Sequence, residues 1–304
     1  MKVVSYLGSV PSNNKKPEKS DILKYFVEGV GKHNDQGILH QGNNLIDSDV
    51  ALIQGWVHEE SKTSPHLQLR KAIIAYQKKQ GKKVLIADSN LFLYANKENP
   101  HHYLRYSFND VFPITGEYFW NNPNPDRWKK ISYDLNLKLK DWQLTGKNIL
   151  ICTQRNGGWS MKGFNVVTWL ENTITDIRKY TDRPIVVRPH PGDKNAVQYL
   201  NSRDPRWKIS SSEKITDDFK SAWAVITFNS SPGVAAAIEG IPVFVTDPQP
   251  QTSQAYDIAN TDLSQIETPK VFDRQAWIEK ISMSHWSFND LKSGEAWEHI
   301  RKYV

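Results

Sequence analysis

The stretch Val225 to Val245, VITFNSSPGVAAAIEGIPVFV, reads as an apolar run, a Ser-Ser-Pro-Gly turn, a helix of small residues and a second apolar run. Short Val, Ile and Phe runs bounded by turn signals are what parallel strands show when both faces of a sheet are covered. Strand, helix and strand in immediate succession make a βαβ unit. Pro232 suits the first helical position, where its missing N–H costs nothing, and Ser230 or Ser231 suits the N-cap. Gly233, Ala235, Ala236 and Ala237 let the helix lie close against the sheet.

The same alternation extends outward. NILICTQ (148–154), RPIVVRPHP (183–191) and WAVITF (223–228) read as strands, FNVVTWLENTITDIRKYT (164–181) and DDFKSA (217–222) as helices. In the first half KVVSYLG, VALIQGW (50–56) and KKVLIAD (82–88) read as strands. KSDILKYFVEGVGK, capped by Ser20 or Asp21, and SPHLQLRKAIIAYQKKQG, stopped by Gly81, read as helices. This order predicts an α/β fold of two Rossmann-like domains, residues 1–140 and 141–304, each built on a parallel sheet. FWNNPNPDRWKK (119–130), rich in Asn and Pro, reads as loop before the boundary, and the stretch after Pro269 as two closing helices.

Composition narrows the function classes. The chain of 304 residues is 38% hydrophobic and 24% charged. No apolar run approaches the roughly 20 residues of a membrane span, and no secretory leader is evident, so a cytoplasmic protein without membrane insertion is expected. Cys152 is the only cysteine, which excludes a disulfide within the chain, and its apolar neighbours make it a core residue. A net charge of +6 is compatible with a polyanionic partner without requiring one. Most of the eleven Trp and twelve Tyr are expected to fill cores, with stacking on sugars or bases as the other use.

Three strand ends carry chemistry, because ligands of open parallel sheets bind beyond the carboxyl ends of the strands. In TQRNGGWSMKG, Gly157 and Gly158 let backbone amides approach a ligand, and Arg155, Ser160 and Lys162 offer donors to an anion. In RPHPG, Arg188 ends a strand and His190 is fixed between two prolines. In FNSSPGVAAAIEG, Ser230, Ser231 and the helix amides suit a phosphate, and Glu239 suits ribose hydroxyls. Together they suit a nucleoside diphosphate. No Asp-x-Asp stands at a strand end, so no metal is expected and positive groups would stabilise the leaving phosphate.

RPHPGDK, ITFNSSPGVAAAIEGIPVFV and RQAWIEKISMSHWSFNDLKSGEAWEHI resemble the carboxyl-terminal half of GT-B glycosyltransferases of the capsular-polysaccharide group, which includes Kdo transferases. The resemblance spans roughly residues 147–304. It implies two Rossmann-like domains facing across a cleft, carboxyl-terminal helices closing back on the first domain, and metal-independent transfer from a nucleotide-sugar. The donor residues would be Arg188, His190, Ser230, Ser231 and Glu239, with His190 also among the catalytic candidates. SYLGSVPSNNKKPEK, ALIQGWVHEESKTSPHL, DSNLFLY and QRNGGWSM resemble uncharacterised proteins of tailed marine phages.

A GT-B enzyme takes acceptor contacts and, when inverting, its base from the first domain. Asp88 is the first candidate for that base and His58 the second, within hydrogen-bond reach of an acceptor hydroxyl. Trp56, Glu59, Ser89 and Asn90 stand beside them. The phage resemblance implies a hydroxymethylated base in double-stranded DNA as acceptor. Lys15, Lys16, Lys19, Arg105, Arg127, Lys129 and Lys130 would then track phosphates, with Trp120 or Trp128 stacking. The rival acceptor is a growing surface glycan. A non-catalytic nucleotide-sugar or nucleic-acid binding protein and a nucleotide-sugar epimerase are the remaining readings.

Overall fold

The computed structural model describes residues 1–11, 18–58, 64–92, 94, 99–200 and 204–304. Two compact units divide the chain: Met1–Asn90, Glu98–Lys130 and Glu279–Val304 form one, Leu91–Lys97 and Ile131–Ile278 the other.

The first unit contains β1 (Lys2–Tyr6), α1 (Glu18–Gly31), β2 (Gln36–His40), β3 (Val50–Gln54), α2 (Pro65–Lys79), β4 (Lys83–Asp88), β5 (Leu104–Phe108) and the start of α3 (Pro125–Asp134). The second contains β6 (Asn148–Cys152), α4 (Val166–Ile177), β7 (Ile185–Arg188), α5 (Ala196–Tyr199), β8 (Lys208–Ile209), α6 (Ile215–Phe219), β9 (Ala222–Thr227), α7 (Pro232–Ile238) and β10 (Val243–Val245). The chain then runs through α8 (Gln275–Ser282) into β11 (His285–Trp286), α9 (Phe288–Ser293) and α10 (Glu295–Ile300), which belong to the first unit from Glu279 onward.

The first sheet has the order β11-β5-β4-β3-β1-β2. β2, β1, β3 and β4 are parallel, while β5 and β11 join antiparallel. The sequence predicted neither of these last two strands. LRYSF carries Arg105 and Ser107 among its apolar residues, and the two residues of β11 are too few to show a period. Val3, Leu52, Leu85, Tyr106 and Phe108 share one core with Phe26 of α1 and with Leu291 and Trp297 of α9 and α10. Close approach is needed there: a methyl group on Gly29 would fall 2.0 Å from the Leu291 carbonyl oxygen.

Two expectations about helices are corrected. Ser20 and Asp21 lie inside the first turn of α1, which already includes Glu18, so neither caps it. The carboxyl-terminal stretch forms three helices instead of two, because Gly294, at φ +87°, takes the left-handed conformation that ends α9 and opens α10. α9 starts with a capping box in which Ser287 and Asp290 exchange side-chain bonds with each other's backbone N–H.

The second sheet is parallel throughout, in the order β10-β9-β6-β7-β8. Ile149, Ile151, Val187 and Ile226 pack against Val166, Leu170, Ile174 and Ile177 of α4. Asn165 caps α4, its side chain accepting from the N–H groups of Val167 and Thr168 at 2.9 and 3.2 Å. The order reverses between β6 and β9. That pair of strands sets the topological switch point, where doubly wound sheets open a crevice at their carboxyl edge.

Candidate functional site

The loops after β6 and β7 interlock at this carboxyl edge. Gly157 adopts φ +66°, a turn that a side chain would strain. The Gly158 N–H donates to the Arg155 carbonyl at 3.0 Å. Arg155 Nη2 donates to the Gly192 carbonyl at 3.1 Å, and the Asn156 N–H to Asp193 Oδ2 at 2.9 Å. Tyr199 OH donates to the same carboxylate oxygen. His190, exposed at the tip, accepts from the Gly192 N–H through Nδ1 at 2.9 Å. Its pKa lies below the ordinary histidine value, because the ring is partly desolvated and faces the Arg155 guanidinium, with Asp193 opposing. A neutral ring whose Nδ1 accepts carries its proton on Nε2, so His190 offers one outward N–H donor.

A buried polar network joins the ends of β6, β9 and β10. Gln154 Nε2 donates to Ser160 Oγ at 2.7 Å, and Gln154 Oε1 accepts from the Asn229 N–H at 3.3 Å. Asn229 Nδ2 reaches Asp247 Oδ2 at 2.8 Å and Thr252 Oγ1 at 3.1 Å, and Thr252 donates to Asp247 at 2.6 Å. Lys162, in the left-handed region at φ +50°, brings Nζ to 3.2 Å from Asp247 Oδ2 and 3.0 Å from Gln249 Oε1. Gln154, Asn229, Asp247 and Thr252 were not singled out from the sequence. The signal was present, since Asn229 and Asp247 are each the second residue beyond an apolar strand.

At the start of α7, Ser231 occupies the N-cap position in helical conformation and its side chain makes no capping bond. The first turn is closed by the Ser230 and Ser231 carbonyls, which accept from Gly233 and Ala235 at 3.1 Å each. The hydroxyls are therefore not needed to cap the helix. Ser230 Oγ is buried and has no hydrogen-bond partner among the described residues, whereas Ser231 is exposed.

Two expected donor contacts are engaged elsewhere. Arg188 Nη1 donates to Asp218 Oδ2 at 2.6 Å and to the Ser212 carbonyl at 3.0 Å, and Nη2 to the Glu213 carbonyl at 2.9 Å. It ties β7 to α6 and to the segment just before that helix. Glu239 is the C-cap of α7, about 12 Å along the helix from Ser231 by the 1.5 Å rise per residue. Its carboxylate pairs with Lys140 and accepts from Tyr94 OH at 3.4 Å, so it does not lack a partner.

One cavity of the second unit escaped the sequence reading. It has a volume of about 460 Å³ and lies between α4 and the ends of β9 and β10, with Phe164, Trp169, Phe228 and Pro248 among its walls. Trp169 Nε1 donates to Thr246 Oγ1 at 2.9 Å and holds the indole in place.

In the first unit Asp88 and Arg105 are a direct cross-strand pair of β4 and β5, with Nη2 to Oδ2 at 2.5 Å. Asn90 is buried, while Trp56 and His58 are half-buried, and the Trp56 carbonyl accepts from Arg70 at 3.2 Å. Glu59, Lys15 and Lys16 lie outside the described residues. Several expected DNA contacts are corrected, because they belong to the core. Arg105, Arg127 and Trp128 are buried. Arg127 pairs with Asp290 at 2.6 Å, donates to the His285 carbonyl and lies over the Trp286 ring at 4.0 Å. Lys130 donates to Tyr103 OH at 3.0 Å, and Trp120 stacks on Tyr118 at 4.6 Å. Lys129 is exposed beside Asp126, and Lys19 is half-buried.

Among the described residues, no group of three or more His, Cys, Asp or Glu side chains is placed to hold a metal ion. No helix among them is long and apolar enough to cross a membrane.

No protein-family model matches the sequence, and no curated protein does. Among solved structures the chain is similar to the β-Kdo 2,4 transferase of Thermosulfurimonas dismutans KpsC. The TM-score is 0.55 at 12% identity, over 92% of this chain and 90% of that one. It is also similar to the β-Kdo 2,7 transferase of the same KpsC, with a TM-score of 0.51 at 12% identity over the full length of both. At this identity the likeness shows the fold, the two-sheet α/β architecture of GT-B glycosyltransferases.

Proposed function

We propose that the chain is a glycosyltransferase. It moves a sugar from a nucleotide-sugar donor held at the carboxyl edge of the second sheet to a hydroxyl of a surface-type glycan. The observation that carries this reading is the switch point between β6 and β9, where the β6 and β7 loops interlock and aim donors outward. His190 Nε2–H and the remaining N–H groups of Arg155 are suited to phosphate oxygens. They would stabilise the charge that develops as the nucleotide departs. The aromatic walls of the neighbouring cavity suit a stacked base.

Deprotonation of the acceptor falls to Asp88, with His58 as the second candidate. Arg105 occupies Asp88 Oδ2, and Oδ1 is the oxygen left for the acceptor proton. A glycan acceptor is preferred over DNA for two reasons. The similar structures are Kdo transferases, and the basic residues expected to track phosphates are partly interior.

The test is calorimetric titration with UDP, GDP and CMP, followed by donor-sugar panels with glycan acceptors, in EDTA. One nucleotide should bind and its sugar should be transferred. His190→Ala should reduce transfer by ~10²-fold, the scale of removing one preorganised donor. Failure of all three nucleotides to bind would overturn the proposal.

A further inference from the structure

The first sheet has a switch point of its own. β1 pairs with β2 on one side and with β3 on the other, so the order reverses between β1 and β3 and a crevice opens beyond their carboxyl ends. Arg70 of α2 spans that opening. Its Nε donates to the carbonyl of Ser9, in the loop after β1, at 2.9 Å, and its Nη1 to the carbonyl of Trp56, just beyond β3, at 3.2 Å. Gly55 leaves room for the guanidinium, since a methyl group there would fall 2.9 Å from Nη1.

The charge of Arg70 is not met. Arg105, Arg127 and Arg188 each pair with a carboxylate, of Asp88, Asp290 and Asp218 respectively. Arg70, 7% exposed, forms no ion pair among the described residues, and the carboxylate whose field reaches it, Asp88, is held by Arg105 at 2.5 Å. Burial pushes the Arg70 pKa down to about 10, with Asp88 opposing. Arg274 also lacks an ion pair, but it uses both terminal nitrogens on the Ala237 and Lys140 carbonyls and lies over the Trp142 ring. Arg70 Nη2 makes no hydrogen bond among the described residues and stays in contact with solvent. A guanidinium desolvated without a counter-charge is costly, and an anion arriving from solvent would relieve that cost.

The surroundings are positive as well. Lys19 and His66 lie in the first turns of α1 and α2, both half-buried, where the helix dipoles present their positive ends. Burial first, and then the charges of Arg70 and Lys19, hold the His66 pKa below the ordinary histidine value, so the three basic side chains share one neighbourhood. An oxyanion supplies both an acceptor for Nη2 and the missing counter-charge, whereas a neutral hydroxyl supplies only the first.

We infer that the β1–β3 switch point is an oxyanion subsite, in which the Arg70 guanidinium receives a carboxylate or phosphate group with Lys19 and His66 beside it. The inference rests on the reading of the first unit as the acceptor side, and it makes the acceptor an acidic saccharide or a sugar phosphate.

The experiment is calorimetry on the whole chain without nucleotide. The probes are the methyl glycosides of glucuronate and galacturonate, glucose and galactose 1-phosphate, and methyl glucoside and galactoside as the neutral counterparts. One acidic class should bind at least about tenfold more tightly than its neutral counterpart, and which class does so separates carboxylate from phosphate as the source of the anion. Arg70→Gln, which keeps a donor for a carbonyl but removes the charge, should weaken that probe ~10- to 100-fold, the scale of a hydrogen bond to a charged group. The double variant Lys19→Gln, His66→Gln should weaken it severalfold, and it decides the matter if Arg70→Gln does not fold. The inference is overturned if no acidic probe outbinds its neutral counterpart at millimolar concentrations, or if the deciding folded variant keeps the parent affinity. Nucleotide titration in parallel keeps the two readings apart: nucleotide binding without anion binding sinks the subsite alone, whereas anion binding without nucleotide binding sinks the transferase.

Discussion

Replacing Arg188 by alanine separates a ligand contact from a structural tie. The Arg188 side chain is 15% exposed and that of Asp218 7%, and three hydrogen bonds of Arg188, at 2.6, 3.0 and 2.9 Å, end on Asp218, Ser212 and Glu213 in that order. Removing one partner of a buried ion pair costs about 3–5 kcal/mol. Asp218 keeps Ser210 Oγ, at 2.7 and 2.8 Å from its two oxygens, so the loss should fall at the lower end, about 3 kcal/mol. For a unit of this size that corresponds to a melting temperature lowered by roughly 6 to 12 °C. The assay pairs thermal unfolding with nucleotide titration well below the transition. Arg188→Ala should unfold early yet bind nucleotide within a few-fold of the parent, whereas His190→Ala should melt normally and bind poorly. An Arg188→Ala protein as stable as the parent but unable to bind nucleotide would refute the assignment of Arg188 as a tie.

The remaining predictions concern stability and reactivity. His285 is fully buried, and desolvation first, then Arg105 and Arg127, depress its pKa to about 3, with the Ile281 carbonyl opposing. As pH falls from the ordinary 6.5 toward 3 the unfolded chain takes up a proton that the folded chain refuses. Stability should therefore fall by about 1.4 kcal/mol per pH unit. Urea midpoints unchanged between about pH 7 and 5 would contradict this. Gly29→Ala places a methyl group 2.0 Å from the Leu291 carbonyl and should cost ~1–3 kcal/mol by overpacking in urea unfolding. Burial pushes the Cys152 thiol up to about 12, so a thiol reagent should react at neutral pH only when urea is added.

Legibility in the sequence followed physical locality. β1, β3, β4, β6, β7, β9 and β10 are short apolar runs flanked by polar residues, so hydropathy alone places them. β5 and β11 hold their places through partners far along the chain, as in the Trp286 to Leu104 register, which no local window records. The Gly-rich turn after β6 and the Pro-flanked His190 were readable because backbone constraint leaves a compositional trace. Charge was not readable in the same way. FWNNPNPDRWKK looked like a basic, aromatic surface, yet Arg127 is paired with Asp290, a residue 163 positions later. Arg188 likewise looked free for a ligand because Asp218 is 30 positions away. Whether a strand-end arginine serves a ligand or a neighbouring loop depends on long-range geometry.

The return of Glu279–Val304 to the first unit has a bearing on biosynthesis. During translation Ile131–Ile278 emerges before that segment, so the later-encoded unit has nearly all its chain while the earlier one still lacks β11, α9 and α10. The usual amino-to-carboxyl order of co-translational folding is thereby inverted. Until the ribosome releases Trp286, Leu291 and Trp297, the surface they cover on Phe26 and Tyr106 stays open to chaperones.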